Sequence, residues 1–355
     1  MTARSVTLDD VARLAGVSYQ TVSRVLNHSA QVSPRTRARV EAAMQQLSYV
    51  PNRVAQQLAG KATRTLGLAT SDLALMAPAQ IASAIQQRAA AQGYHLVIAM
   101  ANATSHAQDT VHELLAQRVD ALLINLPLDA AQAAQIQQQC GSKPTLFLDV
   151  ERSAVVAQCQ YRSTSGAQQA VDHLVALGHR QIGVLNGPAS SASARARFSA
   201  WQQALARHQL VPHCVLSGDW SAASGYQALL TRLPDQLPQA LLVANDQMAL
   251  GAMRALHQHG VRIPAEMSII GYDDTAESAW YQPPLTTVRQ DLQQLGTVSV
   301  DRLLAQLEGE MPDSQPLETG LVLRATTAAP LQQQVDVAEI AQQLQQLARA
   351  LKRSP

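Results

Sequence analysis

The sequence predicts three successive parts: a small all-α N-terminal domain, a large α/β core of two doubly wound subdomains, and a C-terminal helix. Three observations predict this order. The first 64 residues are rich in Lys and Arg. From residue 65 to residue 330, short β-rich segments alternate with amphipathic helical segments, a pattern typical of parallel sheets covered by helices. An apolar repeat with helical spacing then follows residue 331.

The N-terminal domain is predicted first by its charge. The whole chain of 355 residues has a formal net charge of only +1, but residues 1–64 carry nine Lys and Arg against three Asp and Glu, a net charge of +6. The remaining 291 residues carry a net charge of −5. This asymmetry predicts a basic part that contacts a polyanion, joined to a larger part with a different role.

The bulk composition narrows the class of protein. A hydrophobic content of 47% over 355 residues predicts two or three domains with large cores. The three cysteines, Cys140, Cys159 and Cys214, are widely spaced, which argues against a disulfide framework or a zinc site and fits a reducing compartment. No signal-peptide core and no run of about 18 apolar residues is found. We therefore expect a soluble cytoplasmic protein without a metal or a cofactor.

Two short helices are predicted at the start of the N-terminal domain, residues 1–50. Thr7 followed by Asp10 begins the first, because a capping hydroxyl and an acid three residues later satisfy free backbone amides. Gly16 ends this helix, and Ser18 can cap a second helix over Tyr19–Asn27. A helix, a tight glycine turn and a second short helix form the helix-turn-helix arrangement.

The second helix carries side chains suited to reading DNA bases. Tyr19, Gln20 and Arg24 are long hydrogen-bonding residues on its outer side, and Arg and Gln can pair with guanine and adenine in the major groove. Ser33 and Pro34 then begin a third helix. The alternative is a small three-helix bundle with ordinary solvated polar residues, but the charge of +6 favours a DNA-binding domain.

Two segments resemble a known family. Residues 17–25 (VSYQTVSRV) resemble the recognition segment of LacI-family repressors, and residues 51–61 (PNRVAQQLAGK) resemble the hinge segment of that family. The resemblance implies that Tyr19, Gln20 and Arg24 contact operator bases. It further implies DNA contacts from Thr7, Ser18, Thr21, Ser23, Asn27, His28 and Ser33 in the domain, and from Asn52, Val54, Ala55, Gln56 and Leu58 in the hinge.

The hinge segment, residues 51–61, can cap a helix with Asn52 but is too short to remain helical alone in water. We expect it to become helical only beside a second copy or on DNA. The resemblance implies that two hinge helices pair in the minor groove, where Leu58 wedges between base pairs and bends the duplex. The alternative is that Leu58 is an ordinary apolar linker residue.

The core, residues 62–330, is predicted from seven strand-like segments with helices between them. The helices include 79–92, 107–117, 166–177 and 247–259, and the strands are 65–70, 94–100, 121–125, 145–150, 181–186, 240–245 and 268–273. Residues 120–125 (DALLIN) are echoed by residues 239–245 (QALLVAN). This echo predicts two similar halves that face a cleft.

Polar residues cluster where the predicted strands end. The carboxyl ends of parallel strands are where α/β proteins bind ligands. Carboxylates, amides, Arg and Trp in one cleft are typical of sugar binding, although strand-end Asp and Asn are also common turn formers. The cluster consists of Asn125, Asp149, Asn186, Asn245, Asp246, Asp273 and Asp274.

The core also resembles the LacI family, whose cores are similar to periplasmic sugar-binding proteins. The resemblance implies galactoside contacts from Asp149, Ser193, Arg197, Trp220, Asn245, Gln247 and Asp273. It implies an apolar wall from Leu75, Ala77, Pro78, Ile81 and Leu295, and further ligand contacts from Tyr161 and Leu292. Tyr161 and Leu292 depart from the resembled pattern, which has Phe at both, and Leu126 stands at a Tyr position. These departures predict altered ligand preference within the same ligand class.

The tail, residues 331–355, contains apolar residues spaced alternately three and four apart, the spacing of a heptad seam. The alternative is a helix that packs on the core of its own chain. The resemblance implies a four-helix bundle that joins two homodimers into a homotetramer. The seam consists of Val337, Ile340, Leu344, Leu347 and Leu351.

These predictions combine into an allosteric transcriptional repressor that binds pseudo-palindromic operator DNA and is released by a galactoside. A sugar-transport protein would share the core but not the basic domain. A sugar-processing enzyme would need a paired acid and nucleophile, and no recognisable motif supplies them near His173 or His179. The closest alternative is a LacI-family regulator of a different glycoside operon.

Overall fold

The computed structural model describes residues 6–26, 31–49, 63–101, 106–233, 236–311 and 314–331. The chain forms two compact units, Met1–Thr63 and Arg64–Pro355. Asn27, His28, the hinge segment 51–61 and the predicted seam 337–351 lie outside the described residues. No helix within the described ranges has the length and hydrophobicity needed to cross a bilayer.

The described part of the N-terminal unit contains three helices: α1 (Leu8–Ala15), α2 (Tyr19–Leu26) and α3 (Pro34–Gln46). They pack around a small aliphatic core in which small and β-branched residues allow close helix contacts. The buried residues are Val11, Ala12, Ala15, Val22, Val25, Val40 and Ala43.

The predicted caps of this unit are present. Thr7 and Asp10 form the capping box, with the Asp10 amide 3.3 Å from Thr7 Oγ1 and the Thr7 amide 3.0 Å from Asp10 Oδ2. Gly16 ends α1 with φ +62°, a left-handed conformation that glycine adopts without strain. The guanidinium of Arg39, on α3, donates to the carbonyl oxygens of Ala15 and Gly16. One cation of the basic domain therefore holds the end of α1.

The second unit contains two subdomains. The N-terminal subdomain has a parallel sheet of order β2-β1-β3-β4. Its strands are β1 (Thr65–Thr70), β2 (His95–Met100), β3 (Ala121–Asn125) and β4 (Thr145–Phe147). Helices cover both faces of this sheet: α4 (Met76–Ala91), α5 (Ala107–Ala116) and α6 (Ala130–Cys140).

The C-terminal subdomain has a six-stranded sheet of order β12-β10-β9-β8-β6-β7, in which only β12 is antiparallel to its neighbour among these described strands. Its strands are β6 (Ile182–Asn186), β7 (Val215–Ser217), β8 (Ala240–Val243), β9 (Ser268–Asp273), β10 (Thr286–Arg289) and β12 (Gly320–Val322). Its helices are α7 (Ser163–Ala176), α8 (Ala192–Arg207), α9 (Ala222–Leu230) and α10 (Asp246–Gln258), followed by a 3₁₀ helix (Ala276–Trp280).

The chain crosses between the subdomains three times: after β4, after β10 and after α11 (Leu292–Leu307). Strands β5 (Tyr161–Arg162) and β11 (Leu317–Glu318) lie side by side in parallel where the chain crosses. Helix α11 follows the C-terminal strands in sequence but packs against α4 of the N-terminal subdomain. Their approach is close, because a Cβ on Gly296 would lie 2.4 Å from Ala84 Cβ.

All seven predicted strands are present, with some corrections to their bounds. The strand predicted over 145–150 ends at Phe147, and the strand predicted over 240–245 ends at Val243 because Asn245 caps α10. The helix predicted over 79–92 begins at Met76, so Pro78 lies in its first turn, where the missing amide hydrogen costs little. The two similar segments, 120–125 and 239–245, contain strands β3 and β8, which occupy equivalent positions in the two sheets. Each lies between the first and the fourth strand of its half.

Candidate functional site

A cavity of about 700 Å³ lies between the two subdomains at the carboxyl ends of their strands. It brings together all fourteen residues predicted to contact a ligand, although they are spread from residue 75 to residue 295. These residues are Leu75, Ala77, Pro78, Ile81, Asp149, Tyr161, Ser193, Arg197, Trp220, Asn245, Gln247, Asp273, Leu292 and Leu295.

A buried ion pair occupies one wall of this cavity. Arg197, on α8, donates through Nη2 to Asp273 Oδ1 at 3.1 Å, and through Nη1 to the carbonyl oxygen of Ala244. Gln290 Nε2 donates to the same Asp273 oxygen at 2.7 Å. Burial raises the pKa of Asp273, while Arg197 and Gln290 oppose that rise. Asp273 thus keeps a second oxygen for a ligand hydroxyl.

Aromatic rings hold the guanidinium of Arg197 in place. Its Cζ atom lies 4.1 Å from the ring centre of Tyr272 and 5.5 Å from that of Trp220. Such cation–π contacts fix the plane of an arginine whose remaining N–H groups can face a ligand. A Cβ on Gly187 would lie 2.4 Å from the Trp220 ring, so the backbone at Gly187 supports that indole directly.

The side-chain amide of Asn245 connects two parts of the cavity wall that the C-terminal subdomain contributes. Its Oδ1 accepts from the Met248 amide at 2.9 Å, which caps α10, and its Nδ2 donates to the Trp220 carbonyl at 2.9 Å. Trp220 and Asp273 have positive φ values of 79° and 113°. Backbone in this region is strained for residues other than glycine and is common at ligand sites.

Hydrogen bonds cross the cleft from one subdomain to the other. Ser193 Oγ, on α8, donates to Asp149 Oδ1 at 2.6 Å, and the Met76 amide, at the start of α4, donates to Gln247 Oε1 at 3.0 Å. Burial raises the pKa of Asp149, and the hydrogen bond from Ser193 is the main opposing influence. Predicted ligand contacts therefore also set the relative position of the two subdomains.

The opposite wall is apolar and comes from the N-terminal subdomain. Leu75, Ala77, Pro78 and Ile81 belong to or adjoin the first turns of α4, beside Leu292 and Leu295 of α11. The hydroxyl of Tyr161 donates to the Asp291 carbonyl. Because this hydroxyl is used by the backbone, Tyr161 contributes its ring to the wall, much as a Phe would.

Three strand-end residues of the predicted polar cluster do not line the cavity: Asn186, Asp246 and Asp274. Asp246 is fully buried, and its carboxylate accepts from Thr287 Oγ1 at 2.6 Å, from Ser278 Oγ and from the Thr275 amide at 3.0 Å. Burial, followed by the nearby charge of Asp273, raises the pKa of Asp246 to about 7.

Asp274 is instead held by the guanidinium groups of Arg289 and Arg324. His173 and His179 lie outside the cavity and form hydrogen bonds with the segment that follows β12. His179 Nε2 donates to the Ala328 carbonyl at 2.8 Å, and His173 Nε2 lies 3.0 Å from Thr327 Oγ1. No metal-binding group of His, Cys, Asp or Glu was found among the described residues.

A second candidate surface lies on the N-terminal unit. Tyr19, Gln20 and Arg24 are exposed along α2, whose inner side is buried, and Thr21 and Ser23 are partly exposed. Ser18, just before the helix, is also exposed. Ser18 Oγ accepts from the Thr21 amide at 3.2 Å. Thr7 and Ser33 cap α1 and α3, placing them at helix N-termini that favour phosphate. An exposed polar helix of this kind fits the major groove of DNA.

Both parts of the chain match families of known proteins. Residues 7–52 match the family described as bacterial regulatory proteins, lacI family, and residues 171–327 match the periplasmic binding protein-like domain. The lactose operon repressor of Escherichia coli strain K12 is 49% identical over 99% of this chain and 98% of that repressor. The chain belongs to the LacI family.

Solved structures of other regulators share the fold described above. A crystal structure of the lac repressor dimer bound to operator and the anti-inducer ONPF has 50% sequence identity and a TM-score of 0.87, covering 92% of this chain and all of that one. A complex of the transcriptional regulator CelR with cellobiose has 30% identity and a TM-score of 0.66, covering 90% and 99%. The predicted helix-turn-helix domain and periplasmic-binding-protein-like core are confirmed, and this LacI-family chain is a transcriptional repressor.

Some residues of the LacI-family cleft were not predicted. Gln290 was missed because β10, which precedes it, was not predicted as a strand. Glu151 and Arg195, which line the cavity margin, belong to a loop and a helix without a recognisable pattern. The available signal for Arg195 was the segment Ser193–Arg197, because its first and last residues are both predicted ligand contacts.

Proposed function

We propose that this repressor binds a pseudo-palindromic operator and is released from it by a galactoside, in the manner of a lac repressor. One observation carries the ligand part of the proposal. The fourteen residues predicted as galactoside contacts, which come from separate parts of the core sequence, line a single cavity. The 49% identity to the E. coli lactose operon repressor supports the same assignment.

The chemistry of the cleft suits a neutral polyhydroxylated ligand with an apolar portion. Asp273 and Asp149 can accept hydrogen bonds from sugar hydroxyls, and Arg197 can donate to sugar oxygens. The indole of Trp220 can cover an apolar sugar face. The leucine-rich wall opposite these groups suits the aglycone of a galactoside.

The proposed DNA partner is recognised by residues 1–50, with base contacts from Tyr19, Gln20 and Arg24. In the proposed complex the hinge, residues 51–61, becomes helical on DNA and Leu58 enters the minor groove. The core, residues 62–330, binds the ligand and forms the homodimer, and the tail, residues 331–355, joins two dimers into a tetramer. A repressor of this kind acts in the cytoplasm on the nucleoid and performs no catalysis.

Release follows from linkage between the two ligands. A galactoside that favours one relative position of the subdomains shifts the position of the hinges and weakens operator binding. By the same coupling, operator DNA must lower galactoside affinity by an equal factor. The cross-cleft hydrogen bonds of Ser193 and Gln247 are the contacts through which a bound sugar can bias the subdomains.

The test is an operator gel shift with purified protein and a panel of glycosides. We expect galactosides to weaken specific operator binding, whereas cellobiose and other glucosides have little effect. Release by glucosides alone would favour the alternative, a LacI-family regulator of a different glycoside operon. A turnover assay on o-nitrophenyl β-D-galactoside, with no nitrophenol released, separates a repressor from an enzyme.

The hinge is tested by Leu58→Ala. We expect this change to reduce both specific operator affinity and DNA bending, with non-specific binding retained. Unchanged bending would show that Leu58 is a linker residue. Sedimentation of the full chain and of a chain that ends at residue 330 tests the tail, because the shorter chain should stop at the dimer.

A further inference from the structure

One ion pair crosses the cleft at its margin. Arg195 Nη2, on α8 of the C-terminal subdomain, lies 2.7 Å from Glu151 Oε1, in the segment that follows β4 of the N-terminal subdomain. Both residues line the cavity. The two side chains are 40% and 35% exposed, whereas those of Arg197 and Asp273 are 8% and 5% exposed. The Glu151–Arg195 pair therefore lies nearer the opening of the cleft than the ligand-contact pair.

Each partner is also held by its own subdomain. Arg195 Nη1 donates to the Ala189 carbonyl at 2.8 Å, in the loop before α8. On the other side, the Glu151 amide donates to the Leu128 carbonyl at 3.0 Å, and Glu151 Oε2 accepts from the Ala130 amide at 3.4 Å. Both partners are anchored within their own subdomains. The ion pair therefore breaks if the subdomains move apart by more than the two side chains can span.

The position of Arg195 on its helix fits this separate role. Ser193 and Arg197 are four residues apart and share one face of α8, which points into the cavity. Arg195 lies about half a turn away, and its long side chain extends over the margin to Glu151. The same helix thus provides both the inner ligand contacts and a contact at the opening.

We propose that Glu151 and Arg195 form a latch across the mouth of the cleft that slows the departure of a bound ligand. Naming the ligand as a galactoside rests on the proposed function. A galactoside is neutral and does not compete with the pair for charge, so the latch acts on the subdomains and both members are positioning residues. A partly exposed ion pair is screened by salt, and its contribution is accordingly modest.

The kinetic test uses the full-length protein and isopropyl β-D-thiogalactoside, with dissociation followed by stopped-flow tryptophan fluorescence. We expect Glu151→Gln and Arg195→Gln each to raise the dissociation rate about two- to fivefold at low salt. The double variant should match the single ones, because either change already breaks the pair. High salt should raise the wild-type rate towards that of the variants. Additive effects, or unchanged dissociation rates, would overturn the latch.

Glu266→Gln is the matched control. Glu266 is 38% exposed and pairs with Arg262 at 3.0 Å, entirely within the C-terminal subdomain. This substitution removes the same charge from a similar ion pair without touching the cleft. We therefore expect it to leave the dissociation rate at the wild-type value, and an effect equal to that of Glu151→Gln would show that net charge, not the latch, is responsible.

A ligand-free measurement separates this inference from the identity of the ligand. In a Trp280→Phe background, acrylamide quenching reports Trp220 in the cavity, because Trp201 is fully buried. We expect Glu151→Gln and Arg195→Gln to increase quenching of Trp220. If the wild type binds no galactoside but quenching increases, the galactoside assignment is wrong and the latch stands. If galactoside binds while quenching and dissociation are unchanged, the latch is wrong and the assignment stands.

Discussion

The guanidinium of Arg197 and the carboxylate of Asp273 form a buried ion pair, with Nη2 3.1 Å from Oδ1 and both side chains less than a tenth exposed. An ion pair removed from water is held only when further hydrogen bonds satisfy both groups. Here Gln290 and the Ala244 carbonyl supply them. The pair is consequently fixed before a ligand arrives, which reduces the ordering cost of binding.

Arg197→Lys tests this arrangement. Lysine retains the charge but lacks the planar fork that reaches both Asp273 and Ala244. We expect galactoside affinity to fall roughly 10- to 100-fold, the effect of losing a charged hydrogen bond. Operator affinity without ligand should stay within about twofold of wild type. Calorimetric titration and a gel shift measure the two quantities, and wild-type galactoside affinity would contradict the assigned role.

Gly187→Ala tests the support of Trp220. A Cβ at this position would overlap the indole, at 2.4 Å, so the ring must shift from its present position over Arg197. We expect about tenfold weaker galactoside binding, together with a shifted tryptophan emission maximum and little change in operator affinity. Gly309→Ala is a useful contrast, because an added Cβ there meets no atom within 4 Å but has an unfavourable φ of +82°. It should lower stability and leave galactoside affinity unchanged.

Asp246→Asn tests the pH dependence of stability. The pKa of Asp246 is raised to about 7 in the folded protein, against roughly 4 in an unfolded chain. Between these values only the folded state holds the proton, so stability falls as pH rises from about 4 to 7 and is level above that. The expected loss is on the order of 4 kcal/mol. Urea unfolding of Asp246→Asn from pH 5 to pH 8 should therefore show a smaller decline than wild type.

Asp219→Asn is a control, because the pKa of Asp219 is lowered whereas that of Asp246 is raised. Hydrogen bonds from Ser221 lower the pKa of this exposed carboxyl, so its contribution is already complete at pH 5. Its replacement should reduce stability equally at pH 5 and pH 8. If Asp246→Asn behaves in the same way, the raised pKa of Asp246 is not the source of the pH dependence.

Two arginines of the basic N-terminal domain should behave differently. Arg24 is exposed on α2, and Arg24→Ala should cost roughly 1–3 kcal/mol of specific operator binding while the domain stays folded. Arg39 holds the C-terminal end of α1, and Arg39→Ala should instead lower the midpoint of thermal unfolding of this domain. Gel shifts and circular dichroism separate the two losses. Equal effects of both changes on unfolding would contradict this division.

Much of the fold could be predicted because local patterns agree with it. Each of the caps at Thr7, Gly16 and Ser33 depends on only one or two residues. The central strands are continuous apolar segments. The cleft residues could be named through the family resemblance, and the structure brings them to one cavity. Their contacts with a ligand stay predictions.

The remainder depends on contacts between distant residues. Asp273 is the last residue of β9 and Asp246 the first residue of α10, yet Asp246 is enclosed by hydroxyl groups while Asp273 faces the cavity. Asp274 pairs with Arg324, 50 residues away. The Glu151–Arg195 pair joins segments 44 residues apart on different subdomains. No local periodicity encodes such pairings.

The position of α11 has a consequence for biosynthesis. The sheet of the N-terminal subdomain is complete once Phe147 has been made, but the core beneath it also needs Leu295, Val300 and Leu303 from α11. A growing chain therefore exposes the apolar face of α4 while the ribosome translates about 150 further residues, including nearly all of the other subdomain. The core that begins to form first is therefore completed only when α11 has been made, after most strands of the other subdomain.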